Sequence, residues 1–476
     1  MGHPKLYSWP GWDEQSIYLT RDETMTTPML DPPINSHPIH GEVKLITLDP
    51  GHFHAALVQK FMYPQVSRRV YVFAPPGPDL GDHLQRITGF NQRPEEPTNW
   101  DEIVYGGDDY LEVMLREKPG NVLVTAGNNQ RKTSYIKAAV DAGIHILADK
   151  PMCIDLPGWH LLRAAFDSAK QNKVLLYDIM TERYEITTIL QKELVNRSLL
   201  FGELQTGSVD NPAVTKESVH YLFKTVAGSV LRRPPWYFDA GQQGDGIVDV
   251  STHLVDLVMW ECFPEEAIDY TRDIRVMQAR RWPTMLDLEQ FEQVTRHSQF
   301  PEYLVGQLDG QGLLPYYSNG ELIYTLRGVH ARISVVWEFK SATGGGDTHY
   351  SIIRGSRSNI IIEQGLKQGF RPALYVEPAP GVTWDSCERG LRAAMESLEA
   401  RFPGLAIEPE GAVWHVVIPD FYYVGHEAHF GQVTEKFLGF LADGKLPDWE
   451  VPNMIAKYYT TTQALELAKA VFKKSG

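Results

Sequence analysis

Cysteine is scarce in this chain: three residues in 476, Cys153, Cys262 and Cys387. They are too few and too scattered for a disulfide framework or a zinc cluster, and are expected as buried small side chains in a reducing compartment. No run approaches the roughly 18 apolar residues that a spanning helix needs. The N-terminus lacks the apolar core of a signal peptide, so a cytoplasmic protein is expected, or a periplasmic one had a leader been trimmed. No lysine/arginine-rich block offsets the formal net charge of -15. The mean field repels nucleic acid and anionic membrane, and neither is expected as a partner. Internal repeats and low-complexity segments are absent too. What is present is an ordinary globular composition, 43% hydrophobic and 22% charged, in a chain long enough for two or three domains.

Residues 1–42 are rich in proline and aromatics (Trp9, Trp12, Tyr18) without periodicity, and predict an extended arm lying along another surface. At Val43 the texture changes. Val43–Leu48 predicts a buried strand, and Asp49-Pro50-Gly51-His52-Phe53-His54 a tight turn opening a helix. The frame is that of the dinucleotide fingerprint G-x-G-x-x-G, with Asp49 and His54 at the first and third glycine positions. Gly51 keeps the middle one, which lets backbone approach a pyrophosphate. A helix N-terminus there would bind phosphate through free N–H groups, with His52 or His54 adding a donor or bonding locally. A second strand, Val70–Phe73, precedes Asp79, an acidic residue placed somewhat late to hold a ribose diol. Tyr110, Val113 and Met114 mark a helix before a strand at Asn121–Thr125. Thr133 is expected to cap a helix that Gly143 ends. Ile144–Leu147 is the next strand, and Lys173–Tyr177 a sixth, ending at Asp178. Such alternation predicts a parallel sheet with right-handed crossovers.

Ala148-Asp149-Lys150-Pro151 closes the Ile144–Leu147 strand. Ligands gather past the carboxyl ends of strands in open α/β sheets, and an ammonium there is costly to bury without a partner. Downstream, Asp249, His253, Asp256 and Trp260 would share one stripe if Gly246–Trp260 were wholly helical. A histidine one turn from carboxylates suits acid/base work, because its pKa is near neutral and tunable; a capped helix with a structural histidine is the plainer alternative. No metal is expected: two carboxylates and one histidine are a thin ligand set. His426-Glu427-Ala428-His429 lacks the zincin spacing and predicts helix surface. Asn319-Gly320 predicts a hairpin turn before a strand in which Val329, Ala331, Ile333, Val335 and Trp337 share a face. Further strands are expected at His349–Gly355, Asn359–Gln364, Leu374–Glu377 and Val413–Ile418, forming a large antiparallel sheet. Stripes through Phe430, Val433, Phe437 and Leu441, and through Leu465, Ala468 and Phe472, predict terminal helices.

Together these pieces resemble the Gfo/Idh/MocA family of sugar and cyclitol oxidoreductases. Ala139 to Pro151 (AVDAGIHILADKP) is similar to the family's A-x-x-A-G-x-H-V-x-x-E-K-P, with aspartate for glutamate. Gly246 to Asp256 (GIVDVSTHLVD) is similar to its G-x-x-x-D-x-x-x-H-x-x-D. The resemblance covers residues 43–270 and extends as architecture to the antiparallel sheet. It implies an α/β Rossmann domain (a doubly wound parallel sheet) over 43–178 and an α+β substrate and oligomerisation domain over 179–425 with an open-faced, mainly antiparallel sheet. Residues 426–476 would be helices packing back on both.

The resemblance further implies a nicotinamide-dependent enzyme acting on a ring hydroxyl of a sugar, glycoside or polyol. Lys150 would hydrogen-bond the reacting hydroxyl beside the nicotinamide, His253 would be general base or acid, and Asp249 would hold the substrate or the imidazole. Gly51, His52, Phe53, Asp79, Asn129, Asp149, Lys150 and Pro151 would contact the cofactor. NAD is expected, on the acidic Asp79, with NADP not excluded. Glu217, His220, Lys224, Trp236 and Asp239 would line a substrate cleft if their loop folds over the sheet, since aromatic rings beside charged groups suit carbohydrate. Two other readings stand beside the dehydrogenase. One is a glycosidase acting by transient oxidation and elimination, with Glu182 or Tyr184 as extra base. The other is a non-catalytic ligand-binding protein. The sheet and the arm predict a homodimer or homotetramer.

Overall fold

Leu45–Leu48 (β1) is an apolar tetrapeptide buried at every position, as a strand covered on both faces must be. It lies inside a six-stranded parallel sheet with Arg69–Ala74 (β2), Asp101–Gly106 (β3), Val122–Thr125 (β4), His145–Asp149 (β5) and Leu176–Ile179 (β6), in the order β3-β2-β1-β4-β5-β6. The connecting helices are His54–Leu57 (α1), Pro78–Gln92 (α2), Tyr110–Glu117 (α3), Asn129–Asp141 (α4) and Leu156–Asn172 (α5). This is the doubly wound order whose reversal between β1 and β4 opens a crevice at the strands' carboxyl ends. The computed structural model describes residues 42–475 except 227–228 and 342–344, and no side chains at 225–229 and 471–475. The expected arm (but for Glu42) and the Phe472 side chain therefore lie outside the described residues.

Three local expectations give way here. β3 had no sequence signal, because it is an edge strand with Ile103 and Val104 exposed. Asn128, not Thr133, caps α4: its side chain accepts from Gln130 N, while the Thr133 hydroxyl donates to the Met152 carbonyl. The helix after β1 is a single turn.

The second sheet has nine strands. Val214–Tyr221 (β7) is followed by a small antiparallel pair, Thr225–Val226 (β8) and Ser229–Val230 (β9). Then come Ile274–Leu286 (β10), Leu314–Leu326 (β11), Val329–Glu338 (β12), Thr348–Arg354 (β13), Ser358–Gln364 (β14), Ala373–Pro378 (β15), Ala406–Glu410 (β16) and Val413–Val417 (β17). The order is β10-β11-β12-β7-β13-β14-β15-β17-β16, antiparallel except for β12 with β7. The β12 alternation appears as expected: Ala331, Ile333 and Val335 are fully buried on the face covered by the helices Ile186–Val195 (α6), Ser251–Cys262 and Glu450–Ser475. The other face holds a small cluster of Ile352, Ile361 and Tyr375.

The hairpin turn is Arg327-Gly328, both at positive φ (50° and 84°), rather than Asn319-Gly320, which lies within β11. Gly320 is there for close approach: a Cβ on it would stand 2.2 Å from Ile247 Cγ1, and one on Gly246 would stand 1.9 Å from the Ser318 carbonyl oxygen. This backbone-to-backbone contact seats the segment that carries Asp249. Glu217 and His220, expected on a loop, belong to β7 at mid-sheet. Lys216 beside them is fully buried and ion-paired to Glu261 at 2.6 Å, so an interior charge had the look of a surface segment.

The two sheets are tied by one buried network. Arg183 grips Asp256 through Nε and Nη2 (2.6 and 2.7 Å) and reaches Glu450 at 3.0 Å. Lys457 joins Asp256 to Asp178 at 2.8 and 2.7 Å. Asp256 is thereby a structural anchor. The helix Glu450–Ser475 gives Met454 and Tyr458 to the first core and Ala464, Leu465 and Ala468 to the second.

Candidate active site

β5 delivers Asp149 and Lys150 to the crevice. Lys150 Nζ donates to Asp249 Oδ1 at 2.6 Å, with both side chains about nine-tenths buried (11% and 8% exposed). Burial works to lower the Lys150 pKa, but the Asp249 and Asp149 carboxylates outweigh it and the net shift is upward. The lysine stays an ammonium. Asp249 is held from its other side by Gln243 Nε2 at 3.1 Å, and the Gln243 carbonyl accepts from Asn129 Nδ2 at 2.7 Å. Asn129 therefore positions Asp249 through Gln243, while its own Oδ1 is buried without a partner.

The helical stripe exists only in part. The helix begins at Ser251, Asp249 precedes it in a turn, and Asp256 turns to Arg183. His253 is buried in the first turn of the helix, with Nδ1 unpartnered. Burial, then the Lys150 charge, holds its pKa well below the ordinary histidine value, against the pull of Asp256 and Asp149. A neutral imidazole and an ammonium thus share one electrostatic environment.

The turn after β1 keeps the fingerprint's conformation more than its chemistry. Asp49, at the first glycine position, adopts φ 48°, a left-handed conformation that aspartate tolerates better than most residues. The Gly51 and His52 amides both donate to the Ala126 carbonyl (3.2 and 3.0 Å), so they do not point at a phosphate. His54 fills the third glycine position and meets Asp149 Oδ2 at 3.0 Å. A cleft opens beside this turn, lined among others by His52, Phe53, Asp79, His83, Arg86 and Arg232. Asp79 starts α2 and accepts from Trp236 Nε1 at 2.8 Å. A Cβ on Gly51 would be 3.0 Å from Asp79 Oδ2 and 3.1 Å from the Trp236 ring, so only glycine lets this pair lie so close to the turn.

The other expected residues divide. Glu182 is near enough to Lys150 to feel its charge, which opposes the upward shift that burial imposes on its carboxyl. Pro151 is buried behind the lysine. His220 Nδ1 bonds Asp347 at 2.8 Å and its ring packs on Trp337 at 4.8 Å. Lys224 joins the same carboxylate and acts electrostatically on His426. Glu217 pairs with Arg332 at 3.4 Å. Trp236 lies against Gly51, and Asp239 is occupied by Gly241 N and by Gln242 and Gln307.

Lys132 and Tyr237 carry no signal in the sequence pattern, whereas His426 and His429 do. Lys132, fully buried, donates to the Asp149 carbonyl, and burial brings its pKa down to about 8 against the pull of Asp149. Tyr237 is buried within electrostatic range of Lys150 and Asp249. His426 faces the His54 ring at 5.4 Å from the exposed start of its helix, where His426 and Glu427 are surface as expected, while His429 is buried (3% exposed). Their spacing alone could not have placed them.

Residues 190–469 match the family described as "Putative oxidoreductase C terminal domain". A crystal structure of a putative oxidoreductase from Parabacteroides merdae is 56% identical, covers 90% of this chain and 98% of its own, and superposes with a TM-score of 0.89. Levoglucosan dehydrogenase in complex with NADH and levoglucosan shares the fold at 12% identity, covering 90% of this chain and 98% of its own, TM-score 0.58. A putative myo-inositol dehydrogenase from Sinorhizobium meliloti does so at 14% identity, with 90% and 98% coverage and a TM-score of 0.52. Comparison with curated proteins finds no match. No helix among the described residues is long and apolar enough to cross a membrane. With its six-stranded parallel sheet, its nine-stranded mixed sheet and both sequence motifs in place, the chain belongs to this family of Gfo/Idh/MocA-like oxidoreductases.

Proposed function

We propose that the chain is a nicotinamide-dependent dehydrogenase that moves hydride between the cofactor and a ring hydroxyl of a sugar, glycoside or cyclitol, with NAD the expected dinucleotide. The observation that carries the reading is the buried Lys150–Asp249 pair, with His253 and the cleft-lining Tyr237 within its electrostatic range. The fit to a dinucleotide rests on buried polar atoms that lack partners: both ring nitrogens of His83, which lines the cleft, and Asn129 Oδ1 beside Gln243. Arg86 and Arg232 add positive charge to the same cleft, supplying what the committed Gly51 and His52 amides do not. Levoglucosan and inositol, in the names of two structural relatives, support the substrate class.

The bound nicotinamide supplies the hydride acceptor or donor. The chain's own part is proton and charge management. His253, neutral, takes the hydroxyl proton during oxidation and returns it during reduction. The Lys150 ammonium stabilises the developing alkoxide. Asp249 aims the lysine, and Gln243 with Asn129 aims Asp249. Incubating the protein with NAD and a panel of sugars, glycosides and cyclitols should give reduced-nicotinamide absorbance with at least one. Lys150→Ala and His253→Ala should abolish turnover while NADH still binds; turnover surviving both would refute the assignment.

A second reading, elimination by transient oxidation, is favoured by Glu182, whose raised carboxyl lies within reach of the Lys150 charge. Glycoside cleavage without net NADH, lost in Glu182→Gln, would select it.

A further inference from the structure

His52, His54 and Asp149 present ligand atoms that all lie within 4.8 Å of one another. No other group of three such residues does so among the described residues. His54 Nδ1 is 3.0 Å and His52 Nδ1 3.8 Å from the same carboxylate oxygen, Asp149 Oδ2. Ligands around one tetrahedral zinc-sized ion stand about 3.3 Å apart, and the two separations bracket that spacing. A second observation points to a missing occupant. His52 Nδ1 is shut off from solvent and has no hydrogen-bond partner, which buried polar atoms seldom tolerate.

The electrostatics agree. Asp149 is buried (4% exposed), yet neither neighbouring lysine is bonded to its carboxylate: Lys150 donates to Asp249, and Lys132 to the Asp149 backbone carbonyl. The side-chain hydrogen bond described for that carboxylate comes from the His54 imidazole. An ion would replace the proton that His54 Nδ1 shares with Asp149, the ring's N–H moving to Nε2. His52 also lines the cleft, so an ion has a way in.

We infer that His52, His54 and Asp149 form a site for a divalent first-row transition ion of the zinc class, at the end of β5 beside Lys150, with its remaining coordination positions turned to the cleft. Two imidazoles and one carboxylate on one side of an ion are a borderline-soft set that favours such ions over magnesium or calcium. This departs from the sequence expectation of no metal, which weighed the cysteines, the stretch around His253 and the His426–His429 pair but not His52 with His54 and Asp149. It does not depend on the hydride reading.

The test is calorimetric titration of the full, EDTA-treated chain without dinucleotide, using Zn²⁺ and Co²⁺, with Mg²⁺ as control. One ion per chain is expected for the first two, Co²⁺ developing visible d–d absorbance, and no saturable Mg²⁺ binding. His52→Ala and Asp149→Asn should each weaken binding by about 10-fold or more and change the cobalt spectrum. His52 has a partly exposed side chain, so its replacement keeps the fold, checked by circular dichroism, and decides the matter if Asp149→Asn does not fold. Absence of stoichiometric binding, or affinity and spectrum unchanged in His52→Ala, overturns the site.

Discussion

Lys150 Nζ and Asp249 Oδ1 lie 2.6 Å apart although 99 residues separate them in the chain. The pair joins the end of the parallel sheet to the turn seated on the mixed sheet, so one hydrogen bond reports on both the assembly of the crevice and its charge. Losing the ammonium removes the group proposed to stabilise the alkoxide and leaves a buried carboxylate unpaired. Lys150→Met should lower kcat by about 10²–10³-fold, the usual cost of deleting one oxyanion donor. Asp249→Asn should lower it less, keeping the lysine's charge but loosening its aim. Steady-state rates on the best substrate of the panel check both.

A neutral His253 sets the pH profile. Its pKa lies well below 6.5 because of burial and the Lys150 charge, so the base is available throughout the neutral range. The acid limb of kcat/KM for alcohol oxidation should fall below pH 6.5 and move upward in Lys150→Met, which removes the repelling charge. A limb at or above 6.5 in the wild type would contradict this.

Stability should respond to acid in two stages. Burial lowers the pKa of His83 to about 4 and of His429 to about 3. These groups protonate on unfolding before they protonate in place, so stability falls as pH drops below the unfolded value. Each costs about 1.4 kcal/mol per pH unit between roughly 6.5 and its folded pKa. His429→Gln should cut proton uptake on unfolding at pH 5 by about one, measured from the pH dependence of unfolding free energy.

The second stage belongs to Asp256. Burial alone would raise its pKa, but Arg183 and Lys457 overcome that and depress it. Its contribution is complete above the unfolded carboxylate range near 4 and is lost as pH falls through the folded value. Arg183→Ala should cost about 3–5 kcal/mol at pH 7, because it strands buried carboxylates. Denaturant melts at pH 7 and pH 3 separate this loss from the histidine effect.

The sequence made some of this visible and hid the rest for physical reasons. An uninterrupted apolar run ending in Asp149-Lys150-Pro151 is legible because a doubly covered strand has no polar face. The β12 alternation is legible because one face meets helices. β7 was hidden by Lys216, whose charge is neutralised inside by Glu261. Asn319-Gly320 carries a turn's composition, yet Gly320 serves the close approach of Ile247. The His54–His426 ring contact beside Asp149 joins two remote segments, and no spacing rule predicts it.

Cofactor binding is the last prediction and the most direct test of the central claim. Titrating the purified chain with NADH, energy transfer from protein tryptophan to the dihydronicotinamide should saturate at one site per chain. Arg86→Ala should weaken that binding by about 10–100-fold, in line with a charge-assisted hydrogen bond of about 1.5–3 kcal/mol. Absence of saturable transfer in the wild type, with the protein folded, would contradict the account.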